Sequence, residues 1–304
     1  MKYKRQHFVP QSYLRAWCDP QTPEGHEPYI WLCDKRGGGA KKRAPAKVFT
    51  QNDFYTIKDA DGERDLVLEH GLSQLEARFA ALRRNRLDKR LPLGKHDFVN
   101  LCAFVAAMSA RTKSRNDFLR EQWQRLLDMA ERVEESMKKT PPGDLEKMSV
   151  ALEPMPGGDG DSMTMDDVRG IVEQPVQSFL ASEVQFVTPV LARMTFAIVE
   201  TAESPGFVTS DAPCVWFDPE LIKKSPQFGA GGLISPSIEI SMPLSPRQCI
   251  LFGHKLILSG RYMSLKPDDP LVAHFNRRVC HFADEYVVAS DDVSDKEWFA
   301  GNWC

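Results

Sequence analysis

The chain has 304 residues, 42% of them hydrophobic and 27% charged, with a formal net charge of −3. A chain of this size buries a substantial core, and its composition excludes the disordered, collagenous and disulfide-scaffold classes. The near-neutral balance argues against a polybasic nucleic-acid coat, and no run of 18 apolar residues offers a transmembrane helix.

Charge is uneven nonetheless. Residues 1–50 hold ten Lys or Arg against four acids, a patch that suits phosphates if a site lies there and is otherwise a solvated basic loop. The seven cysteines (18, 33, 102, 214, 249, 280 and 304) are widely spaced, and several sit in apolar runs such as "NLCAFVAAM". They read as reduced thiols acting as small hydrophobes, which predicts a cytoplasmic location. The opening "MKYKRQHF" lacks the apolar core of a signal peptide.

In chain order, "QHFVPQSYLRAW" at 6–17 places Pro10 at the first turn of a short helix carrying Ser12 to Trp17. Residues 29–34, "YIWLCD", read as a strand, and "NDFYTI" at 52–57 as a second. Leu68, Leu72, Leu75, Phe79 and Leu82 recur at three- and four-residue steps, predicting one face of a helix despite Gly71. A long central helix is predicted from an entry at Gly94 to Pro141, buried in its first half and amphipathic in its second. Residues 140–164, rich in Pro, Gly and acids, read as a surface loop within a single domain spanning 1–304. Helix resumes with Thr164 as cap, Asp166 and Asp167 in its first turn, and Pro175 and Pro189 kinking or dividing it. From about residue 194 short β-type runs follow, then a helix entered after Pro267 and a last strand, "YVVAS". Strands that do not alternate with helices predict an α+β fold: a helical middle packed with a small mixed or antiparallel sheet from N- and C-terminal strands.

The chain carries no Walker loop, no Gly-x-Gly-x-x-Gly, no His-Glu-x-x-His, no Gly-x-Ser-x-Gly and no zinc-type Cys/His pairing. Its candidate residues are polar groups set among apolar ones. His7, at the junction of strand and helix, is suited to acid, base or ligand duty, and Gln6 and Gln11 flank it. The bland alternative is that these groups only hydrogen-bond a buried chain start. His7-Phe8-Val9-Pro10 has a local likeness to HNH nucleases, but Gln6 stands where an acidic ligand is expected, and only His26, Asn52 and Asp53 follow as further ligands.

"FVTSDAPCVWF" puts Asp211 at a strand end, as a catalytic carboxylate or as the anchor of an Asx-type turn. Arg111 and Arg115, four apart, offer a clamp for a phosphate or carboxylate, unless a structural acid such as Glu76 takes one of them. His274, Arg278 and His281 share a helix face and read as a surface stripe.

"QHFVPQSYLRAW", "YIWLCDK", "NDFYT", "LSQLE", "ARTKSR", "FVTSDAPCVWF", "ISMPLSP" and "ADEYVVAS" occur in an order that resembles the bacterial domain-of-unknown-function family 4238. Gln-His-x-Val-Pro-Gln and Thr-Ser-Asp-x-Pro are its specific parts. Ala212 stands where the family pattern commonly has Asn, and Trp17 where it has Phe. The resemblance implies a single domain and candidate positions, among them Ser210 and Asn276, and no reaction.

Two functions compete. One is a metal-dependent phosphodiester hydrolase, a nuclease in a defence or toxin role. It would use His7, Asp211 and Glu76 as catalytic groups, Mg²⁺ or Mn²⁺ as cofactor, and Gln6, Gln11, Arg111, Arg115, Ser210 and Asn276 as binding groups. The other is a non-catalytic module that recognises a small anionic ligand or a partner. Neither involves a membrane, and oligomeric state is left open.

Overall fold

The computed structural model describes residues 5–37, 39–58, 63–141, 163–221, 232–256 and 260–300. The chain begins with β1 (Arg5–His7) and α1 (Gln11–Leu14), which tightens into a 3-10 turn at Arg15–Trp17. Strands β2 (Ile30–Asp34), β3 (Ala40–Arg43) and β4 (Thr50–Asn52) follow, then the short pair β5 (Ile57–Lys58) and β6 (Arg64–Asp65). The helical middle consists of α2 (Val67–Leu82), α3 (Lys95–Ala110), α4 (Lys113–Lys139), α5 (Met165–Glu173) and α6 (Pro175–Leu191). The C-terminal part holds β7 (Thr195–Glu200), β8 (Thr209–Ser210), β9 (Val215–Phe217), β10 (Glu239–Ser245), β11 (Gln248–Gly253) and β12 (Arg261–Ser264). It closes with α7 (Pro270–Phe282), β13 (Tyr286–Ala289) and α8 (Glu297–Ala300). The fold is α+β.

The described residues form two main sheets beside the helices. The larger has the order β12-β7-β11-β10-β9 and is mixed, because β12 runs parallel to β7 while its other pairs are antiparallel. The smaller, β3-β2-β13-β8, is antiparallel and joins N-terminal to C-terminal strands, with Tyr286 opposite Asp34 and Val287 opposite Ser210. β1 pairs with β4, setting Gln6 opposite Gln51.

The core lies where α1, α2 and α3 meet the larger sheet. Phe79 and Phe104 stack with ring centroids 3.8 Å apart, and Tyr13 and Trp17 pack beside them, fully buried. Both of those residues have polar tips that need partners in such a place. The Tyr13 hydroxyl shares a hydrogen bond with Thr209 Oγ1 (2.7 Å) and donates to the Pro243 carbonyl (2.7 Å), and Trp17 Nε1 donates to the Phe207 carbonyl (2.8 Å). The opening segment is thereby stitched to the C-terminal strands.

Several elements differ from the sequence reading. The long central helix is two helices, broken at Arg111–Thr112. Arg111 leaves the helical region, and Thr112, in extended conformation, caps α4 by accepting a bond from the Arg115 amide at 3.2 Å. The expected strand 52–57 stops at Asn52. Asp53 has φ +54°, and a turn carries the consecutive buried residues Phe54, Tyr55 and Thr56 inward. Helix α7 begins at Pro270 rather than just after Pro267, capped by Asp269. Thr164 caps α5 in a reciprocal box with Asp167, and Pro175 opens α6, whereas Pro189 sits inside α6 without ending it. Most of the surface loop expected at 140–164 lies outside the described residues.

Candidate functional site

The break between α3 and α4 aims Arg111 into the protein. Its side chain is 1% exposed, and Nη1 donates to Glu76 Oε1 of α2 at 2.8 Å. The other two guanidinium nitrogens, Nε and Nη2, have no hydrogen-bond partner among the described residues. These two N–H groups form one edge of the planar fork, the edge that matches the two oxygens of a carboxylate or phosphate. Arg111 is thus half satisfied: one acid neutralises it, and a bidentate edge is free.

His7 stands near the same carboxylate. Strand alternation turns Gln6 fully inward and leaves His7 half-buried. Burial is the main influence on the His7 imidazole and pulls its pKa below the ordinary 6.5, against the opposing effects of the Pro45 backbone and the Glu76 charge. Its Nε2 has no partner among the described residues. Tyr55 closes the cluster. Its hydroxyl reaches the His7 carbonyl at 3.4 Å, and burial pushes its pKa up, with the Arg111 charge opposing and the Glu76 charge adding to the rise. Gln6 holds this arrangement rather than facing a ligand: Oε1 accepts from the Tyr55 amide at 2.7 Å, and Nε2 donates to Glu69 Oε2 at 2.8 Å and Thr56 Oγ1 at 3.3 Å. Gln11, the first residue of α1, is half-buried.

The remaining candidates have other duties. Asp211 is 4% exposed and accepts three backbone N–H bonds, from Asp284 on one oxygen (2.8 Å) and from Glu285 (2.7 Å) and Tyr286 (2.9 Å) on the other. Burial dominates and pushes its carboxyl up to about 6, while the Glu285 and Tyr286 amides pull the other way. The expected Asx-type turn differs from what is seen: the carboxylate takes its N–H bonds from the distant segment 284–286 and not from neighbouring amides. Ser210 Oγ accepts from the Ala212 amide at 3.1 Å. Asn276 spans the backbone of 206–208, donating to the Gly206 carbonyl and accepting from the Val208 amide.

Arg115 does not join Arg111 in a clamp. It pairs with Glu183 of α6 and borders a separate cavity of about 930 Å³ walled by Phe118, Phe179, Phe186 and Trp216. The 274–281 stripe also divides, because Arg278 lies 3.9 Å over the Phe217 ring and bonds Glu239 while His274 and His281 are exposed.

The opening segment and the Thr-Ser-Asp turn do meet. Phe8 and Asp211 line one shallow depression of about 260 Å³ together with Lys113, Asp284 and Glu285. Among the described residues no three His, Cys, Asp or Glu side chains are grouped to hold a metal ion. Among the described residues the candidates His7, Glu76 and Asp211 therefore do not make a donor set that fits Mg²⁺ or Mn²⁺. Sequence reasoning missed Tyr55 and Glu69; the only signal was three polar-tipped residues, Tyr55, Thr56 and Asp53, within a supposed strand.

This is an α+β protein in which a buried, half-satisfied arginine and a half-buried histidine of lowered basicity share Glu76 as a charged neighbour. A family model described as protein of unknown function (DUF4238) matches residues 5–293, and the chain belongs to that family. No curated protein and no solved structure matches it. Among the described residues no helix is long and apolar enough to cross a membrane.

Proposed function

We propose that the protein binds a small anion, a carboxylate or a phosphoryl group, at the His7–Glu76–Arg111 cluster. The observation that carries this reading is the free Nε/Nη2 edge of Arg111 in a side chain 1% exposed. A buried donor without a partner costs about 1–3 kcal/mol, more for a charged group, so a bidentate acceptor placed there recovers an unusually large interaction. Glu76, a quarter exposed, and the half-buried His7 form the side nearest solvent. His7 Nε2 adds a third contact, as donor to the anion or as acceptor from a protonated oxygen.

The same geometry supports a catalytic version, hydrolysis of a phosphodiester, on one further observation. His7 has a lowered pKa, so it is neutral at pH 7 and its Nε2 is able to take a proton. The two versions share the site and differ in turnover.

Calorimetric titration with inorganic phosphate, acetate and a dinucleotide, with His7→Ala and Arg111→Lys alongside, tests the binding reading. Saturable binding in the native protein, weakened at least about tenfold in either variant, supports it. Equal heats in all three proteins would contradict it. Incubating RNA and single- and double-stranded DNA with Mg²⁺ or Mn²⁺ decides the catalytic version: cleavage abolished in His7→Ala supports it, and no cleavage rejects it.

A further inference from the structure

A cleft of about 800 Å³ opens elsewhere in the fold and, among the described residues, is lined by none of His7, Glu76 and Arg111. Its floor comes from the turn after α2, the end of β7 and the β10–β11 hairpin. That turn is π-helical over Arg83–Leu87, a wide turn that recurs at functional positions. Arg83, Arg90 and Arg247 line it together with Gln248, and the acids Asp19, Asp88, Glu200 and Asp291 share the lining.

Two of these, the buried Gln248 and the half-buried Arg83, each carry a buried polar atom without a partner among the described residues. Gln248 is 5% exposed, and its Nε2 donates to the Leu87 carbonyl (2.9 Å) and to Glu200 Oε1 (2.8 Å). Both partners are acceptors, so the amide cannot be turned over, and Oε1 is fixed as an acceptor with no donor among the described residues. Arg83 Nη1 is likewise buried without a partner. Arg90 is already paired with Glu200.

The cleft therefore asks for two things at once: an anionic oxygen for Arg83 and an N–H for Gln248 Oε1. Among the described residues no aromatic side chain lines it, so they offer no stacking platform of the kind a nucleobase uses. Its volume falls in the range of sites that hold small molecules. We infer that this cleft binds an α-carboxylate together with the N–H beside it, the chemistry shared by free amino acids and peptide C-termini. Arg83 receives the carboxylate, and Gln248 Oε1 accepts the N–H.

The test is an NMR titration of the full chain, following the Gln248 side-chain amide, with N-acetyl-trialanine, the same peptide amidated at its C-terminus, and free alanine. Arg83→Gln serves as the variant, since its unpartnered nitrogen takes no hydrogen bond from the fold when removed. A saturable shift of the Gln248 amide with the free acid is expected, with affinity lowered at least about tenfold by C-terminal amidation and by Arg83→Gln. Stronger binding of alanine than of the peptide assigns the site to free amino acids, and the reverse order to peptide ends. Absence of a saturable shift with either acid, or equal binding of the amidated peptide, overturns the inference whatever the Arg83 variant does.

Discussion

Arg111 gives Nη1 to Glu76 at 2.8 Å and leaves Nε and Nη2 without partners among the described residues, although its side chain is 1% exposed. The pair joins the end of α3 to the middle of α2, so it is both a structural tie and one half of the proposed anion site.

The tie is testable apart from binding. Glu76→Ala strands a buried guanidinium with no counter-charge and is expected to lower stability by about 2–4 kcal/mol, somewhat under the cost for a fully buried pair because Glu76 is partly exposed. Adding Arg111→Met removes the stranded charge and restores most of the loss. Urea unfolding of the single and double variants measures both steps.

Asp211 ties the Thr-Ser-Asp turn to the backbone of 284–286 through three N–H bonds. Asp211→Ala takes the acceptor from three donors on part-buried to exposed residues, an expected cost of about 1–3 kcal/mol. Asp211→Asn keeps one carbonyl oxygen and loses less. Thermal unfolding of the two variants gives the order, and equal midpoints for native and Ala proteins would refute the tie.

Tyr13 is expected to matter through its hydroxyl as well as its ring. Tyr13→Phe removes the bonds to Thr209 and the Pro243 carbonyl and should cost about 1–3 kcal/mol with the rings still packed. Chemical denaturation with an unchanged m-value would show that only stability, not compactness, has changed.

Acid sensitivity follows from His7. Its folded pKa lies below the ordinary 6.5, so between those two values the unfolded chain holds more protons than the folded one. Stability contributed by neutral His7 is complete above 6.5 and falls away as pH drops through that window toward the lower folded pKa. His7→Gln should flatten this part of the stability–pH curve, and a curve unchanged from the native protein would contradict it.

Much of the fold was legible from local pattern. The Leu68–Leu82 periodicity marks α2, Thr164 with Asp167 marks the start of α5, and Pro175 marks the division before α6. Glu76 was named from sequence as a possible partner of Arg111, and the structure brings them together. The break at Arg111–Thr112 was hidden because neither Gly nor Pro marks it and an apolar helix face runs up to it without interruption. The bonds of Asp211 and Asn276 end on backbone groups, which sequence does not distinguish. Gln248 and Arg83 belong to distant segments, and only the packing of the hairpin against the α2 turn makes them one cleft.

The most direct test of the anion site is the Arg111 Nε–H resonance in an ¹⁵N NMR titration with inorganic phosphate. The account predicts a saturable downfield shift of that resonance, with the His7 imidazole shifting at the same phosphate concentration. An Arg111 Nε–H that stays still while phosphate binds elsewhere, or does not bind at all, would contradict it.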